Sequence, residues 1–395
     1  MGLFFIIMSE DLIETDHIQT IESWDDFQLK QQLLRGIYSY GFENPSEIQK
    51  KAILPIIQGK DTIAQAQSGS GKTGTFSIGA LQLIDHTNPV LQAVIIAPTH
   101  ELAKQISTVV TELGSCMEGL RVKTMIGGTS VQQDATEINS KPPHIIVGCA
   151  GRIYDMLRRN ALSLLTVKLF ILDEADEMLS QEFVEPIYNI FKYFNEEIQV
   201  ALFSATIPDE ILTLANKFMR NPVRITMKKE DLNLQCIQQY FIALQNDFYK
   251  YDTLKQLFSM ISVNQSIIYC NSVKRVVDLH RAMTDEGFSV CEIHSSMDKS
   301  ERDTTFRNFR NGKFRVLISS NITARGIDIQ QVSTVINFDV PKCVHTYLHR
   351  IGRSGRWGRK GLAINFITKR DIHIIRNIES HYNISIDEMP KDFNI

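Results

Sequence analysis

The sequence predicts an α/β protein with two tandem domains, each a parallel β-sheet covered by helices, joined by a short linker. Short apolar runs alternate with helical patterns along most of the chain, which is typical of parallel sheets covered on both faces. The alternation lapses in a charged stretch at 227–235 and then resumes. At 395 residues the chain also exceeds the length at which one core usually stops growing. We therefore expect a tail at 1–23, a first domain at 24–226, a linker at 227–235 and a second domain at 236–395.

The bulk composition excludes several classes of protein. With 43% hydrophobic and 22% charged residues, it is typical of a soluble globular chain. A formal net charge of −3 means that any site for a polyanion must be a local patch. The scattered cysteines, with no Cys-x-x-Cys pair, indicate reduced thiols and no zinc site. The apolar run at 3–7 is too short for a signal or membrane segment, so 1–7 is interpreted as an extension before an alternative start at Met8.

Short apolar runs predict the strands of both sheets. In the first domain they lie at 61–65, 94–97, 122–126, 145–148, 169–172 and 199–203. In the second domain they lie at 266–270, 290–293, 316–319, 335–338 and 363–367.

The stretch 66–73 reads Ala-Gln-Ser-Gly-Ser-Gly-Lys-Thr and stands between a predicted strand and a predicted helix. Glycines there let backbone N–H groups converge on an anion, and the helix N-terminus adds a favourable dipole. Lys72 is then placed to reach the β- and γ-phosphates of a nucleotide, and the Thr73 hydroxyl to bind Mg²⁺. A loop that only turns the chain is the alternative. The predicted phosphate site consists of Ser68, Gly69, Ser70, Gly71, Lys72 and Thr73.

Carboxylates follow the continuously apolar run at 169–172, in the order Asp173-Glu174-Ala175-Asp176. Ligands of open α/β sheets bind beyond the carboxyl ends of the strands. We therefore expect Asp173 to hold Mg²⁺ through water, and Glu174 to orient and deprotonate the water that attacks the γ-phosphate. The alternative, an acidic helix N-cap, is disfavoured by the upstream phosphate loop.

A basic segment lies in the second domain. From 340 to 370 there are eight Lys or Arg residues and no Asp or Glu. Arg350, Arg353 and Arg356 recur every three residues, so on a helical turn they would share a face. A solvated basic face is the alternative, but a domain without its own phosphate loop can supply arginine fingers to its neighbour.

Taken in order, these motifs resemble those of the DEAD-box ATP-dependent RNA helicases. The matching stretches are Ala-x-x-Gly-x-Gly-Lys-Thr, Asp-Glu-Ala-Asp, Ser-Ala-Thr, Ala-Arg-Gly-x-Asp and His-Arg-x-Gly-Arg-x-Gly-Arg. Two stretches outside the shared motifs, 34–42 and 386–390, are similar to the translation initiation factor 4A group. The resemblance covers the chain from about Trp24 to its end and implies two RecA-like domains.

The resemblance also implies roles for further residues. Gln49, whose amide suits the adenine edge, would read the base, with Trp24 stacking on it and Phe42 as a second aromatic neighbour. Arg353 and Arg356 would be the catalytic arginines, and Asp328 would reach the nucleotide. RNA phosphates would lie over Thr99, Gly128, Arg152, Arg302 and Arg310. The residues that couple the ATP site to RNA would be Ser204 and Thr206.

This sequence departs from the family pattern on the predicted RNA surface. His100 stands where the family has Arg, and Cys149 where it has Thr, so a fixed cation and a hydroxyl are replaced by weaker groups. Lys299 replaces a usual Gln, and Asn321 a common Asp. The ATP-site residues are intact.

The leading hypothesis is an ATP-dependent RNA helicase with ATP and Mg²⁺ as cofactors, acting on single-stranded or partly duplex RNA, in translation initiation. An ATP-gated RNA clamp that serves as a platform for partners is the alternative, and a DNA translocase is less favoured. We expect scaffold or accessory proteins as partners, a monomer, no membrane, and a cytoplasmic location with the nucleus as the alternative.

Overall fold

The structure is a computed structural model that describes residues 20–180, 183–227, 237–260, 265–321, 332–354 and 361–390. Two seven-stranded sheets form its framework. Every strand pair is parallel, which confirms the predicted fold class.

The first sheet contains β1 (Thr62–Gln65), β2 (Ala93–Ile96), β3 (Val122–Met125), β4 (Ile145–Gly148), β5 (Leu169–Asp173), β6 (Gln199–Ser204) and β7 (Val223–Thr226). Its strand order is β3-β4-β2-β5-β6-β1-β7. The helices of this half are α1 (Gln31–Ser39), α2 (Glu47–Ile57), α3 (Lys72–Leu83), α4 (His100–Leu113), α5 (Val131–Ser140), α6 (Ala150–Arg158), α7 (Ala175–Met178), α8 (Val184–Phe191) and α9 (Asp209–Ala215).

The second sheet contains β8 (Ile237–Ala243), β9 (Ser266–Tyr269), β10 (Val290–Ile293), β11 (Val316–Ser319), β12 (Thr334–Asn337), β13 (Gly361–Ile367) and β14 (Asp387–Glu388). Its strand order is β10-β11-β9-β12-β13-β8-β14. The helices of this half are α10 (Tyr249–Met260), α11 (Val273–Asp285), α12 (Lys299–Arg310), α13 (Val344–Ile351) and α14 (Ile372–Tyr382).

All the strands expected from the sequence are present, with ends shifted by one or two residues at most. Three strands were not predicted: β7, β8 and β14. β7 and β14 are short edge strands, and β14 is fully exposed. β8 lies between β13 and β14, but its residues alternate between buried and exposed positions near its start. The charged Arg224 interrupts β7, two glutamines follow the first residue of β8, and β14 consists of two acidic residues, so these strands lack the uninterrupted apolar pattern of most of the others.

The continuous apolar runs arise because each sheet is buried on both faces. In the first sheet, Ile95 and Ile171 pack into one apolar layer, while their neighbours Val94 and Phe170 pack into the opposite one. The second sheet has the same division. The neighbouring strands β5, β6 and β1 therefore form a rigid support, and their carboxyl ends meet at one edge of the first sheet.

Parts of the predicted organisation lie outside the described residues. The tail at 1–23 is described only from Thr20, and the linker at 227–235 only at Met227. The proposed domain boundaries therefore stay predictions. Among the helices of the described ranges, none combines the length and hydrophobicity needed to cross a bilayer.

We predict that Gly36→Ala will lower the free energy of unfolding of the first domain. A Cβ at this position of α1 would lie 1.9 Å from the Leu113 carbonyl oxygen of α4, and overpacking of this kind costs roughly 1–3 kcal/mol. Gly151→Ala in α6 is the control, since nothing lies within 4 Å of its Cβ position and alanine favours a helix by about 0.5–1 kcal/mol. Urea unfolding measures both, and equal effects would contradict the predicted contact.

Candidate nucleotide and RNA site

The phosphate loop connects β1 to α3, as the sequence predicted. Gly69 and Gly71 have φ angles of 82° and 104°, a left-handed conformation that glycine adopts without strain. A side chain at Gly71 would also collide with Ser46 Oγ, 2.5 Å from its Cβ position. Ser70 Oγ donates a hydrogen bond to the Gln67 carbonyl oxygen at 2.7 Å and so closes the turn.

Lys72 and Thr73 begin α3 at the end of this loop. The Lys72 side chain is buried, and its Nζ donates a hydrogen bond to the Ala66 carbonyl oxygen at 2.7 Å. The ammonium group is thus held over the loop, where the helix N-terminus favours an anion. Thr73 is half-buried beside it.

Asp173 and Glu174 lie at the carboxyl end of β5, and each is only 3% exposed. The Glu174 N–H donates a hydrogen bond to Asp173 Oδ1 at 3.0 Å. Burial, together with the charge of Glu174, raises the pKa of Asp173 to about 7, against the opposing effect of Lys72. Glu174 Oε2 is buried and has no hydrogen-bond partner among the described residues.

These groups fit a divalent cation. Two adjacent buried carboxylates face a single lysine, which leaves negative charge without compensation. Carboxylate and hydroxyl oxygens are the ligands that Mg²⁺ uses in nucleotide sites. Asp173 and Thr73 are therefore the residues that could hold Mg²⁺ beside the phosphate loop.

Gln49 and Phe42 border the loop on its outer side. Gln49 Oε1 accepts a hydrogen bond from the Ser46 N–H at 2.7 Å, and its Nε2 donates to the Gly71 carbonyl oxygen at 3.4 Å. A Cβ at Gly74 would lie 2.7 Å from Gln49 Nε2 and 3.0 Å from the Phe42 ring. The amide and the aromatic ring thus lie together next to α3.

The expectation for Trp24 needs correction. Its side chain is only 1% exposed and stacks against Phe42, with ring centroids 6.2 Å apart and planes 12° from parallel. The indole also belongs to the apolar layer that contains Ile95 and Ile171, and its ring centroid lies 5.9 Å from that of Phe27. A nucleobase therefore has access to the half-buried Phe42 ring but not to Trp24, which supports that ring from beneath.

The carboxylate of Asp176 joins the two halves of the chain. Ser204 Oγ donates a hydrogen bond to Asp176 Oδ1 at 2.8 Å, and Thr206 Oγ1 donates to Oδ2 at 2.9 Å. From the second half, His349 Nε2 lies 3.0 Å from Oδ2. The predicted coupling residues Ser204 and Thr206 are thus linked to the second domain through this carboxylate.

Arg353 reaches the phosphate loop from the second half. Its Nη2 donates a hydrogen bond to Ser68 Oγ at 2.8 Å, and its Nε donates to the His349 carbonyl oxygen at 3.1 Å. Ala205 packs into the apolar cluster of the second half that includes Leu348. Side chains of α13 therefore lie next to the Ser-Ala-Thr turn, and the Arg353 side chain, just beyond this helix, contacts the loop.

The shared face expected for the three arginines is wrong for Arg350 and Arg353. Helix α13 ends at Ile351 with Gly352 as its C-cap, so Arg353 lies beyond the helix. Arg350 points into the second domain, whereas Arg353 points at the first. The predicted positions of Asp328 and Arg356 lie outside the described residues.

A second group of possible metal ligands lies across the seam between the halves. Oxygen atoms of Glu174 and Asp176 and a ring nitrogen of His349 lie within 4.8 Å of one another. Both oxygens of Asp176 already accept hydrogen bonds, and His349 approaches one of them. We therefore interpret this group as a hydrogen-bonded cluster rather than a metal site.

Two of the predicted RNA residues of the first domain, Thr99 and Gly128, lie in turns near the surface. Thr99 caps α4, accepting a hydrogen bond from the Leu102 N–H at 3.2 Å, and Gly128 is exposed with a φ angle of 87°. Both leave backbone N–H groups near the surface, the type of donor that binds phosphates. His100 packs beside Gly127: a Cβ at Gly127 would lie 3.3 Å from His100 Nε2.

Arg152 was expected to contact RNA, and the structure places it elsewhere. Its side chain is buried, pairs with Asp134 at 2.8 Å and donates a hydrogen bond to the Thr129 carbonyl oxygen at 2.6 Å. The guanidinium is thus used within the domain. It supports the turn that carries Gly128 instead of meeting a phosphate.

In the second domain, α12 carries the predicted residues Arg302 and Arg310. Arg310 is exposed at the last turn, and Arg302 is half-buried. Between them, Asp303 pairs with Lys104 of α4 at 2.5 Å. Helix α12 therefore contacts α4 of the first domain through this ion pair.

Sequence reasoning missed four residues that connect the halves: Asp176, His349, Lys104 and Asp303. Asp176 and His349 belong to motifs already quoted from the sequence. A search of these motifs for an acidic side chain in one domain and a basic side chain in the other could have identified both. Lys104 and Asp303 carry no local signal, because ordinary helix surfaces contain such charges.

Comparison with known proteins identifies related chains. The DEAD/DEAH box helicase domain matches residues 46–214, and the helicase conserved C-terminal domain matches residues 249–358. Eukaryotic initiation factor 4A of Caenorhabditis elegans is 50% identical over 386 residues, which cover 98% of this chain and 96% of the relative.

Solved structures of related proteins match this arrangement of domains to different degrees. S. cerevisiae Dbp5 bound to RNA and ADP BeF3 matches with a TM-score of 0.87 at 34% identity, covering 94% of this chain and 96% of that one. A variant of Dbp5 bound to Nup159, Gle1, IP6 and ADP matches with a TM-score of 0.66 at 32% identity, covering 92% and 96%. The halves of this chain are therefore arranged more like those of the RNA-bound relative.

We predict that Asp173→Asn will stabilise the first domain at alkaline pH. The folded pKa of Asp173, about 7, lies above its ordinary value of 3.8, so the natural protein loses stability as the pH rises from about 4 to 7, whereas the amide does not ionise. The stability advantage of the variant should grow by up to about 4 kcal/mol between pH 4 and pH 8. Urea unfolding without nucleotide measures it. Asp209→Asn, on the exposed first turn of α9, should show no such growth.

Proposed function

The chain belongs to the DEAD/DEAH box helicase family, and on that premise we propose how its residues couple ATP hydrolysis to RNA. It is an ATP-dependent RNA helicase of the initiation factor 4A type. The observation that carries the proposed coupling is the Asp176 carboxylate, which accepts hydrogen bonds from the Ser-Ala-Thr turn and contacts His349 of the second domain. The ATP site is therefore complete only when the domains are together.

In this mechanism the first domain binds the nucleotide and prepares the attacking water. The loop from Ser68 to Gly71 supplies backbone N–H groups to the phosphates, and Lys72 supplies a positive charge. Asp173 and Thr73 would hold Mg²⁺, which would neutralise charge on the β- and γ-phosphates. Glu174, with a buried oxygen that has no partner within the described chain, accepts a hydrogen bond from the water and then its proton.

The base is held beside α3. Phe42 presents a half-buried ring for stacking, and the Gln49 amide lies next to it. An amide that both donates and accepts hydrogen bonds matches the adenine edge. Specificity for ATP in this proposal rests on these two residues, with Trp24 as their support.

The second domain completes the site during closure. Arg353 already contacts Ser68 of the phosphate loop, so its guanidinium lies where negative charge develops during phosphoryl transfer. Arg356 and Asp328 are proposed to act there as well, on the strength of the motif alone. Because His349 and Arg353 share one short segment, both contacts form in a single movement.

RNA is proposed to bind along the surface formed by α4, the turn at Gly128 and α12. Thr99 and Gly128 supply the first domain's contacts, and Arg302 and Arg310 those of the second. Contacts to phosphates carry no sequence information, so we expect little sequence preference. Because RNA contacts both domains, its binding favours the closed arrangement. We propose that a duplex does not fit the closed surface, so its strands separate when the domains close.

The cellular role is proposed from the relatives. Proteins about 50% identical to this chain are named initiation factor 4A, which supports a role in translation initiation and a cytoplasmic location, with the nucleus as the alternative. We also propose that the chain acts as a monomer away from membranes and is directed to its RNA by scaffold or accessory proteins.

We predict that Glu174→Gln will abolish most ATP turnover. The amide keeps the size of the side chain but cannot accept a proton, so kcat should fall at least about 10²-fold while ATP affinity changes little. RNA-stimulated ATPase assays and nucleotide titrations measure the two quantities. Glu185→Gln, on the exposed side of α8, is the matched control. Unchanged kcat would remove Glu174 from the mechanism, and a natural protein without turnover would favour the RNA clamp.

We also predict that reversing the ion pair between the domains will impair closure. Lys104→Glu or Asp303→Lys alone brings like charges together at this contact, where Lys104 Nζ of the natural chain lies 2.5 Å from Asp303 Oδ2. Because this pair is only partly buried, each reversal should weaken ATP-dependent RNA binding only about 3- to 10-fold at low salt.

The double reversal restores opposite charges and should recover most of the binding. Lys141→Glu makes the same change of net charge on an exposed site in the first domain and is the control. If Lys104 acted only on RNA phosphates, the double reversal would not recover.

A further inference from the structure

Arg350 is completely buried, yet every N–H group of its guanidinium has an acceptor. Nε and Nη2 donate hydrogen bonds to Asn321 Oδ1 at 2.9 and 2.5 Å, and Nη2 also donates to Asn271 Oδ1 at 2.8 Å. Nη1 donates to Asn337 Oδ1 at 3.1 Å and to the Asp339 carbonyl oxygen at 2.7 Å. A planar fork with five donors is the group that can make this set of bonds.

The acceptors come from the carboxyl ends of three neighbouring strands. Asn271 follows β9, Asn321 follows β11, and Asn337 ends β12. These strands lie side by side in the order β11-β9-β12. The guanidinium also lies over the Tyr269 ring, 5.0 Å from its centroid. One side chain therefore fixes the last turn of α13 against the centre of the second sheet.

All of these acceptors are uncharged. Asp339 accepts through its main chain, while its carboxylate receives hydrogen bonds from Lys250 and the Asn271 N–H and forms an ion pair with Arg275. Burial lowers the pKa of Arg350 to about 10, so the group is charged at neutral pH. A buried charge with neutral partners is costly to keep.

The neighbours of Arg350 suggest what this arrangement does. His349, one residue before, contacts Asp176, and Arg353, three residues after, contacts Ser68. Both residues depend on the direction in which the chain leaves α13. Arg350 itself contacts neither the phosphate loop nor Asp176 in the hydrogen bonds of the described chain.

We propose that Arg350 is a positioning residue for ATP hydrolysis: its amide-lined site sets the end of α13 so that His349 and Arg353 meet the first domain together. This inference rests on the proposed function. It assigns Asn321, Asn271 and Asn337 a part in the same task, because each holds one side of the fork. Asn321 is the main acceptor, since two of the five bonds end on its oxygen.

The test compares Arg350→Lys with Asn321→Leu in steady-state ATPase assays at saturating RNA. Lysine keeps the charge but not the fork, and leucine removes the double acceptor. We expect kcat to fall at least about tenfold in each, because small displacements of catalytic groups are costly. The KM for ATP should change less than threefold, since the first domain binds the nucleotide.

A double-mutant cycle separates positioning from loss of stability. If Arg350 acts through Arg353, then Arg350→Lys should cost much less in an Arg353→Ala background than in the natural protein. Gln265→Leu is the control for stability. Gln265 is equally buried in the second domain, but it bonds to the Phe309 and Phe314 carbonyl oxygens near the opposite end of β9. It should lower the melting temperature and leave kcat unchanged.

Asn321→Asp gives a second measurement that does not depend on a disruptive change. The carboxylate keeps both acceptor bonds and adds a counter-charge, so kcat should stay within threefold of the natural value and the melting temperature should rise. Two results would overturn the proposal. One is that Arg350→Lys lowers kcat as much in the Arg353→Ala background as in the natural protein. The other is that kcat follows the melting temperature across all variants, including Gln265→Leu. If Arg353→Ala alone left RNA-stimulated turnover intact, the proposed function would fail instead.

Discussion

Hydrogen bonding to the Asp176 carboxylate is the constraint on which the rest of the site depends. A buried carboxylate is stable only when its oxygens have donors. Here Ser204 and Thr206 supply them from the first domain, and His349 from the second. The same group therefore belongs to both domains. The Asp176 carboxylate connects the strand end that carries Glu174 to the segment that carries Arg353. A movement of one domain therefore changes the positions of catalytic groups in the other.

Charge is distributed unequally between the two halves. The first domain buries Asp173 and Glu174 against one lysine, whereas the second buries Arg350 among neutral amides and presents Arg353 at the seam. Each half alone carries buried charge that costs stability. Proteins accept such costs at functional sites. The cation bound with ATP would neutralise the excess negative charge of the first half. The arginines would stabilise the negative charge that develops on the transferred phosphoryl group.

Among the residues that the structure describes, the closed arrangement shows two separate sets of contacts. One lies at the ATP site and is buried, with Ala205 packed against the second domain. The other is the partly exposed Lys104–Asp303 pair on the side proposed for RNA. Buried contacts fix geometry, whereas exposed ion pairs add little energy and respond to salt. This difference suits a protein that must close in one defined way and then open again after each cycle.

The sequence by itself determined the fold class, most strands and the phosphate loop, because these depend on local features: apolar runs, glycine conformations and the order of motifs. It did not reveal β8, whose burial depends on β13 and β14. The sequence also did not predict the burial of Trp24, Arg152 and Arg350, because tryptophan and arginine occur both at surfaces and in protein interiors. Only the tertiary structure decided which aromatic ring stays accessible, which arginines turn inward, and which charges meet across the domains, since those outcomes depend on contacts between residues distant in the chain.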